Sequence, residues 1–464
     1  MRTAFLISTL LAASPLAATA LHAETLTEAL AGAYQSNPAL QQQRAVLRQL
    51  DETYVQARTG LRPTLSLGAS GSYTHYQSPN ISQGNFDTNS GQLGLNASQT
   101  LFTSGRTTAN IRAAQATIEA GRETLRSAEA QVLTSAITAY IDVRRDAAIL
   151  SIRRDNIEVL KAQLDETSAK YQVGQVTPTD VSQARAQYAQ AKALFATADG
   201  QLRASRASYA AVIGQNPADL AAEPDLPGIP ATIDAAFDVA ARANPDVASA
   251  EATERASQAK VAMAKTGYGP QVSANASVGT VGPVTPLRTS QYGEEVTAGL
   301  TITQPLYSGG LISSDVRQAL EQNNIDRFGV EKARREMVRQ VSSAWSAMVS
   351  ARADLSASME SRDAAKLAYD GTHEEYRAGL RTTLDVLLAE QTLRDAEIAL
   401  TNARHDAYQA SAQLLAAIGL LDARNLALPV ETYDPKRSFD RVRNASATPL
   451  DRAAEAVDGL MSRP

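Results

Sequence analysis

The chain has 464 residues, a formal net charge of −5 and no cysteine. Without thiols there are no disulfides, thiol nucleophiles, thiolate metal sites or lipid-modified N-terminal cysteine, and the mild acidic balance gives no footing for nucleic acid. Aromatics make up only 5%, low for an ordinary large core, while alanine and glutamine abound, a composition that suits closely packed long helices.

Residues 1–23 read as a secretory signal peptide. Arg2 supplies the positive start and Phe5 to Leu11 the apolar stretch. Cleavage is expected after Ala20 (Ala18-Thr19-Ala20) or Ala23 (Leu21-His22-Ala23), the second being weaker because leucine is not small. The apolar run is too short to span a bilayer. No later segment has the apolar length of a transmembrane helix, which leaves a soluble chain or a β-type membrane protein.

A short amphipathic helix is expected from Leu26 to Ser36, interrupted at Asn37-Pro38 because a residue before proline is pushed out of the helical region. A second helix follows to about Gly60. The period then changes to two. Leu65, Leu67, Ala69, Gly71 and Tyr73 alternate with small polar residues, and after a polar loop (Gln77 to Gly91) Leu93, Leu95 and Ala97 do the same. No proline occurs between Phe102 and Thr177. A helix from about Thr103 to Lys170 would be about 100 Å long at about 1.5 Å per residue. A turn from Tyr171 to Pro178 leads into a returning helix whose Val181, Ala184, Tyr188, Ala191, Phe195, Ala198, Leu202, Ser205, Tyr209 and Val212 are spaced three, four, three, four. That sustained seven-residue repeat implies a left-handed coiled coil with small residues along its seam.

The whole pattern is then written a second time. Asn244-Pro245 follows Asn37-Pro38 by 207 positions, and Ile418-Gly419 follows Ile213-Gly214 by 205, so the copies differ by two residues in one loop. Val272, Ala274, Ala276 and Val278 mark one strand of the second copy, and Val296, Ala298, Leu300 and Ile302 the other. Val386, Ala389, Leu393, Ala396, Leu400, Ala403, Ala407, Ala410, Leu414 and Ala417 repeat the seam. The expected organisation is a first repeat over 24–214, with a β-hairpin at about 62–102 and a tip at about 171–179. A proline-rich linker over 215–230 leads to a second repeat over 231–419, with a β-hairpin at about 270–307 and a tip at about 376–384. The tail, 420–464, is polar and, beyond Leu428, irregular and largely disordered, with a helical patch near Leu450 to Met461.

Four amphipathic strands cannot close a barrel, and in a membrane an open sheet edge leaves backbone groups unsatisfied. Two chains, with about eight strands, would make a barrel plugged by its own side chains, whereas three would make a barrel of about twelve, wide enough to conduct. The strands therefore imply a homotrimer if they lie in a membrane.

Export signal, duplicated halves, a β-hairpin between the helices of each half and hairpins about 100 Å long together resemble the TolC family of outer-membrane efflux and secretion channels. The resemblance spans about Leu26 to Tyr433 and is most specific at Thr179-Asp180-Val181 with Ala184-Arg185-Ala186-Gln187-Tyr188, and at Tyr376, Gly379, Arg381-Thr382 and Asp385-Val386-Leu387. It implies a mainly α fold with a small β part, long coiled-coil hairpins forming an α-barrel, and four strands per chain completing a trimeric β-barrel. It places the barrel in the outer membrane and the helical tunnel in the periplasm. The linker and the segment after Gly419 would form an equatorial belt. The implied function is a passive exit duct for efflux or type I secretion, gated at its periplasmic end, working with a periplasmic adaptor and an inner-membrane pump driven by protons or ATP. By the same resemblance, Thr179 and Asp180 face Tyr376 and Arg381 to hold the entrance shut, Asp385 forms an acidic ring at the constriction, and the tips near Gly174 and Gly379 meet the adaptor. The sequence departs from the family pattern at Leu388, where a second aspartate is expected; Glu390 lies on another helical face. One ring in place of two weakens the expectation of cation selectivity.

No enzymatic constellation or cofactor site is present. His22, His75, His373 and His405 are expected to be isolated, with no metal-binding spacing, Gly309-Gly310 lacks a following Lys-Ser/Thr, and Trp345 aligns with Tyr140 as helix packing. The alternative reading is a non-conducting structural coiled-coil protein of the periplasm or outer membrane.

Overall fold

Two helices, a β-hairpin and a long helical hairpin follow one another, and then the series is repeated. The computed structural model describes residues 23–77, 86–284, 289–445 and 458; nearly all of the expected signal peptide lies outside them. The first copy comprises α1 (Leu26–Ser36), α2 (Pro38–Arg58), β1 (Thr64–Tyr76), β2 (Phe86–Phe102), α3 (Arg106–Gln172) and α4 (Pro178–Ile213). The second comprises α5 (Ile233–Ala243), α6 (Pro245–Lys265), β3 (Gln271–Gly282), β4 (Gly293–Thr303), α7 (Leu311–Arg377) and α8 (Thr383–Ala417), and α9 (Pro435–Ala445) follows.

The asparagine before each proline does two jobs. The Asn37 side chain accepts from Ala39 N, starting α2, and donates to Val212 O at the end of α4 (2.9 Å). Asn244 accepts from Asp246 N and Val247 N and donates to Ala417 O at the end of α8 (3.0 Å). One side chain thus starts a helix and satisfies a carbonyl that the end of another helix leaves open. Both long helices, α3 and α7, have 67 residues, about 100 Å each. The small-residue seam is buried where the seven-residue repeat puts it. Ala184, Ala191, Ala198 and Leu202 are covered in α4, and Val386, Leu393, Ala396, Leu400 and Ala403 in α8.

The four strands form one antiparallel sheet in the order β1-β2-β3-β4. Its register stacks Leu67 on Leu95, Val278 and Val296, and Leu65 on Ala97, Ala276 and Ala298, so one face is an apolar band. The other face carries Ser66, Asn96, Ser277 and Thr297, with Ser277 bonded to Thr297 at 2.6 Å. Among the described residues no helix covers the band, and Leu65 and Val296 are 72% and 74% exposed. Two glycine rows cross the sheet, one on each face: Gly68–Gly94–Gly279 and Gly71–Gly91–Gly282. The expected loop from Gln77 to Gly91 is shorter than its polarity suggested. Residues from Phe86 onward are strand, paired with Tyr76 and the residues before it. The ladder is made by backbone, and polar side chains there meet polar partners, as in Ser72 with Ser90 (2.8 Å).

The main core gathers where α1, α3, α4 and α8 meet the linker, around Leu30, Leu133, Ile137, Tyr140, Tyr209, Leu414 and Ile418. Glu24 is its polar pin. It pairs with Leu220 in a parallel bridge, and its carboxylate accepts from the Tyr209 hydroxyl (2.7 Å) and Gln215 Nε2 (2.9 Å). The Tyr140 hydroxyl lies 2.9 Å from Glu24 O and 2.8 Å from Ala221 O. Burial, with Glu24 close by, pushes the Tyr140 phenol up to about 12.

Two sequence expectations need correction. The tail beyond Leu428 is not wholly irregular, because α9 packs Phe439 edge-on against Tyr54 (5.1 Å between ring centroids); one aromatic seated on α2 anchors an otherwise polar helix. Of the patch expected near Leu450 to Met461, only Asp458 is described, and it is fully buried. The second correction concerns His405, which has no metal-type spacing but is not isolated. It is nearly buried between two carboxylates, with Nε2 2.9 Å from Asp142 of α3 and Nδ1 2.8 Å from Asp406. Arg145 bridges Asp142 (3.0 Å) and Asp146 (2.9 Å) beside it. Burial alone would drive the proton off the imidazole, but the hydrogen bonds to Asp142 and Asp406 outweigh it against the opposing Arg145, so the pKa is raised.

Two outcomes follow for stability. A raised histidine pKa stabilises the fold fully below the unfolded value of about 6.5 and loses that contribution as pH rises through the folded value. Thermal unfolding in detergent should therefore shift down by about 2 °C more between pH 6 and pH 9 in the native chain than in His405→Gln. A parallel slope in the variant would refute the tie. Gly214 and Gly419 both have positive φ (92° and 79°). A Cβ at Gly419 would meet the Ala243 carbonyl oxygen at 2.4 Å, but at Gly214 only the movable Ser36 hydroxyl at 3.0 Å. Gly419→Ala is expected to cost about 1–3 kcal/mol and more than Gly214→Ala, measured by denaturant unfolding of the two variants side by side.

Candidate functional site at the hairpin tips

Each long hairpin turns through a glycine with positive φ, Gly174 (74°) and Gly379 (78°). In each turn that glycine's amide donates back to the tyrosine three residues earlier, Gly174 N to Tyr171 O (3.0 Å) and Gly379 N to Tyr376 O (2.9 Å). A Cβ at either glycine would meet open space, so the backbone conformation, not crowding, calls for glycine. Val173 (69% exposed) and Leu380 (77%) stand beside them, leaving the tips apolar as well as bare.

The returning helices begin with matching capping boxes. Asp180 Oδ2 accepts from Thr177 N and Thr177 Oγ1 (both 2.8 Å), and Thr177 Oγ1 accepts from Asp180 N (3.3 Å). Asp385 Oδ2 accepts from Thr382 N and Thr382 Oγ1 (both 2.9 Å), and Thr382 Oγ1 accepts from Asp385 N (3.2 Å). Those backbone and hydroxyl donors hold both carboxyls below the ordinary range, and Arg381 adds to the effect at Asp385. Both aspartates are thus helix-starting residues as well as candidate gate and ring residues. Thr179 and Leu388 are exposed. Glu390, by contrast, is buried and paired with Arg394 at 2.7 Å, which agrees with its being on another face.

Within one chain, Arg381 pairs with Glu375 of its own hairpin (Nε to Oε2, 2.7 Å) rather than with Asp180. Tyr376 crosses to the other hairpin. Its hydroxyl accepts from Lys170 Nζ (2.9 Å) and Gln163 Nε2 (3.5 Å) and donates to Glu166 Oε1 (3.4 Å), and the Lys170 ammonium lies 4.3 Å from the tyrosine ring centroid. Lys170 and Glu166 also pair at 2.7 Å. Sequence reasoning missed Lys170, Glu166 and Gln163. Their spacing of three to four residues on one helix face was the available signal, but an ordinary solvated face shows the same spacing.

These caps set the pH behaviour of the tips. The lowered carboxyl pKa values contribute order that is full above the ordinary value of about 4 and is lost as pH falls through the depressed folded values. Thr177→Ala and Thr382→Ala should each raise amide hydrogen exchange in the first turn of the returning helix about fivefold at neutral pH, with little change at the far ends of α4 and α8. Uniform exchange changes along α4 and α8 would contradict a local cap.

Among the described residues, no helix is long and apolar enough to cross a membrane. The model of the family described as outer membrane efflux protein matches residues 29–215 and 237–420, one block in each repeat. The chain is 32% identical over 439 residues to the outer membrane efflux protein BepC of Brucella suis, covering 94% of each chain. It is 27% identical to the outer membrane protein TolC of Escherichia coli, covering 87% of this chain and 84% of that one. Its fold matches the crystal structure of the Campylobacter jejuni CmeC outer membrane channel with a TM-score of 0.75 at 19% identity, over 90% of this chain and 89% of that one. Unpaired apolar strands, duplicated coiled-coil hairpins and these likenesses lead to one assignment: the chain belongs to the outer membrane efflux protein family, the TolC-like channels, with its strands in the outer membrane and its helical tunnel in the periplasm.

Proposed function

We propose that three copies of this chain close into one passive exit duct whose periplasmic end is gated by the hairpin tips. The observation that carries this reading is the bare sheet. β1 and β4 are its outer strands, its apolar face is uncovered, and its other face is lined with serine, threonine and asparagine. Three such sheets joined edge to edge make a barrel of about twelve strands with an apolar exterior and a polar lumen. α7 supports the same assembly. Ile325, Phe328, Val349 and Leu367 are each at least half exposed, a stripe that neighbouring copies would cover. A non-conducting coiled-coil protein has no use for an uncovered apolar sheet.

In this reading the gate has two kinds of tie. Tyr376 holds the two hairpins of one chain together through Lys170 and Glu166, and Arg381 reaches Thr179 and Asp180 of the next copy when it leaves Glu375. Each exposed ion pair contributes only about 0–1 kcal/mol, so threefold repetition keeps the entrance shut yet openable by a partner that binds the open state more tightly. Three copies of Asp385 would ring the constriction and attract cations, with Leu388 one turn further on. The adaptor would seat on the apolar tips at Gly174 and Gly379, and the pump beneath would supply the energy that the duct lacks.

Single-channel conductance in a planar bilayer tests this reading. The native protein should conduct weakly, Arg381→Ser with Tyr376→Phe should raise conductance several-fold, and Asp385→Asn should reduce the preference for cations. A pore indifferent to the double variant would discard these gate residues, and a folded trimer without a pore would discard the duct.

A further inference from the structure

The N-terminus of α3 is filled by the far end of the same chain. Asp458 is fully buried there. Its Oδ1 accepts from Thr103 N (2.8 Å), Thr103 Oγ1 (2.8 Å) and Gly105 N (3.1 Å), and its Oδ2 from Thr108 Oγ1 (3.0 Å) and Thr108 N (3.4 Å). Thr103 Oγ1 in turn accepts from Thr107 N (3.1 Å). Five donors around one carboxylate form a built site, at the corner where β2 leaves the sheet and α3 begins. The corner needs such a partner. Ser104 and Gly105 both have positive φ (55° and 84°), and Gly105, the residue that opens α3, has no side chain with which to cap it.

A second observation leads to the same corner independently. α9 leads toward it along α2. Phe439 stacks on Tyr54 and lies under Arg122 (5.5 Å), and further along Arg58 Nη1 donates to Arg443 O (3.5 Å). α9 therefore runs parallel to α2, toward the sheet. At the top of α2, Gly60 stands so close to Thr107 that a Cβ there would meet the threonine hydroxyl at 2.9 Å. The repeat supplies a contrast. Ser308, Gly310 and Ser313 occupy the positions of Thr103, Gly105 and Thr108 in the second copy, but there the local serines serve themselves: Ser308 Oγ accepts from Ile312 N (3.5 Å) and Ser313 Oγ turns back to Gly310 O (2.8 Å).

We propose that the C-terminal segment acts as a strap through two described contacts, Phe439 on α2 and the captive Asp458 carboxylate at Thr103, Gly105 and Thr108, and that it clamps the barrel-to-tunnel corner of the first repeat and not of the second. The full chain is suited to the test because it has no native cysteine. Thr108→Cys with Asp458→Cys, and Ser313→Cys with Asp458→Cys as the control, would each carry a protease site inserted after residue 450 and be treated in isolated outer membranes with a short thiol cross-linker. The strap requires the tail fragment to stay attached after cleavage, until the link is broken, in the first pair only. Equal linkage in both pairs, none in either, or links only between chains would overturn it. Asp458→Asn supplies a measurement without cysteines. Amide exchange over residues 103–110 should rise about tenfold, while exchange at the hairpin tips stays the same. Unchanged exchange at the corner would also overturn the strap.

Discussion

Amide and carbonyl groups along the outer edges of β1 and β4 lack ladder partners within the described chain, and hydrocarbon offers them none. That requirement organises the rest of the molecule. The apolar rows Leu65–Ala97–Ala276–Ala298 and Leu67–Leu95–Val278–Val296 share one face, over which no helix lies among the described residues, and the serine and threonine rows take the opposite face. Continuation of the sheet by other copies, as proposed above, would meet that requirement. Its helices would then leave the membrane at evenly spaced points around a ring, and the duplicated chain provides two such points per copy.

Duplication makes the two halves alike in fold but not in fastening. Asn37 and Asn244 each join a helix start to the end of a returning helix, and Gly214 and Gly419 each end that returning helix with positive φ. The differences lie in what surrounds them. Glu24 pins the first half to the linker through Tyr209 and Gln215, Asp458 fills the first strand-to-helix corner, and at the second tip Tyr376 is buried with Arg381 nearby, whereas its counterpart Tyr171 at the first tip is exposed. A threefold assembly of such chains has alternating, inequivalent hairpins, so a partner at the tips meets two kinds of surface.

Much of this was legible in the sequence because it rests on periodicity. The coiled-coil seams, the strand alternation in Leu65 to Tyr73 and the length of α3 each repeat one physical requirement many times. Single contacts with distant partners were not legible. His405 has no spacing that announces Asp142, which lies 263 residues away. Asp458 sits in a tail whose composition resembles disorder, and only the folded chain brings it to Thr103. At the tips the family motif pointed to Asp180 and Asp385 as gate and ring, and their hydrogen bonds show them starting α4 and α8. Phe86 to Gly91 misled for the opposite reason, since backbone pairing does not require apolar side chains.

The two glycine rows crossing β1, β2 and β3 have a mechanical consequence. Gly68–Gly94–Gly279 and Gly71–Gly91–Gly282 lie three residues apart along β1, so they open on opposite faces of the sheet. Without Cβ atoms the strands approach closely, and a Cβ at Gly279 would stand 2.5 Å from Leu93 O. Bending is easiest along such rows. Neither row continues on glycine into β4, where Glu295 stands opposite Gly279. In the threefold assembly proposed above, the wall of the cylinder would therefore be creased rather than evenly rounded. It would be pliant over three strands and stiff at the fourth, and its cross-section would follow a threefold outline.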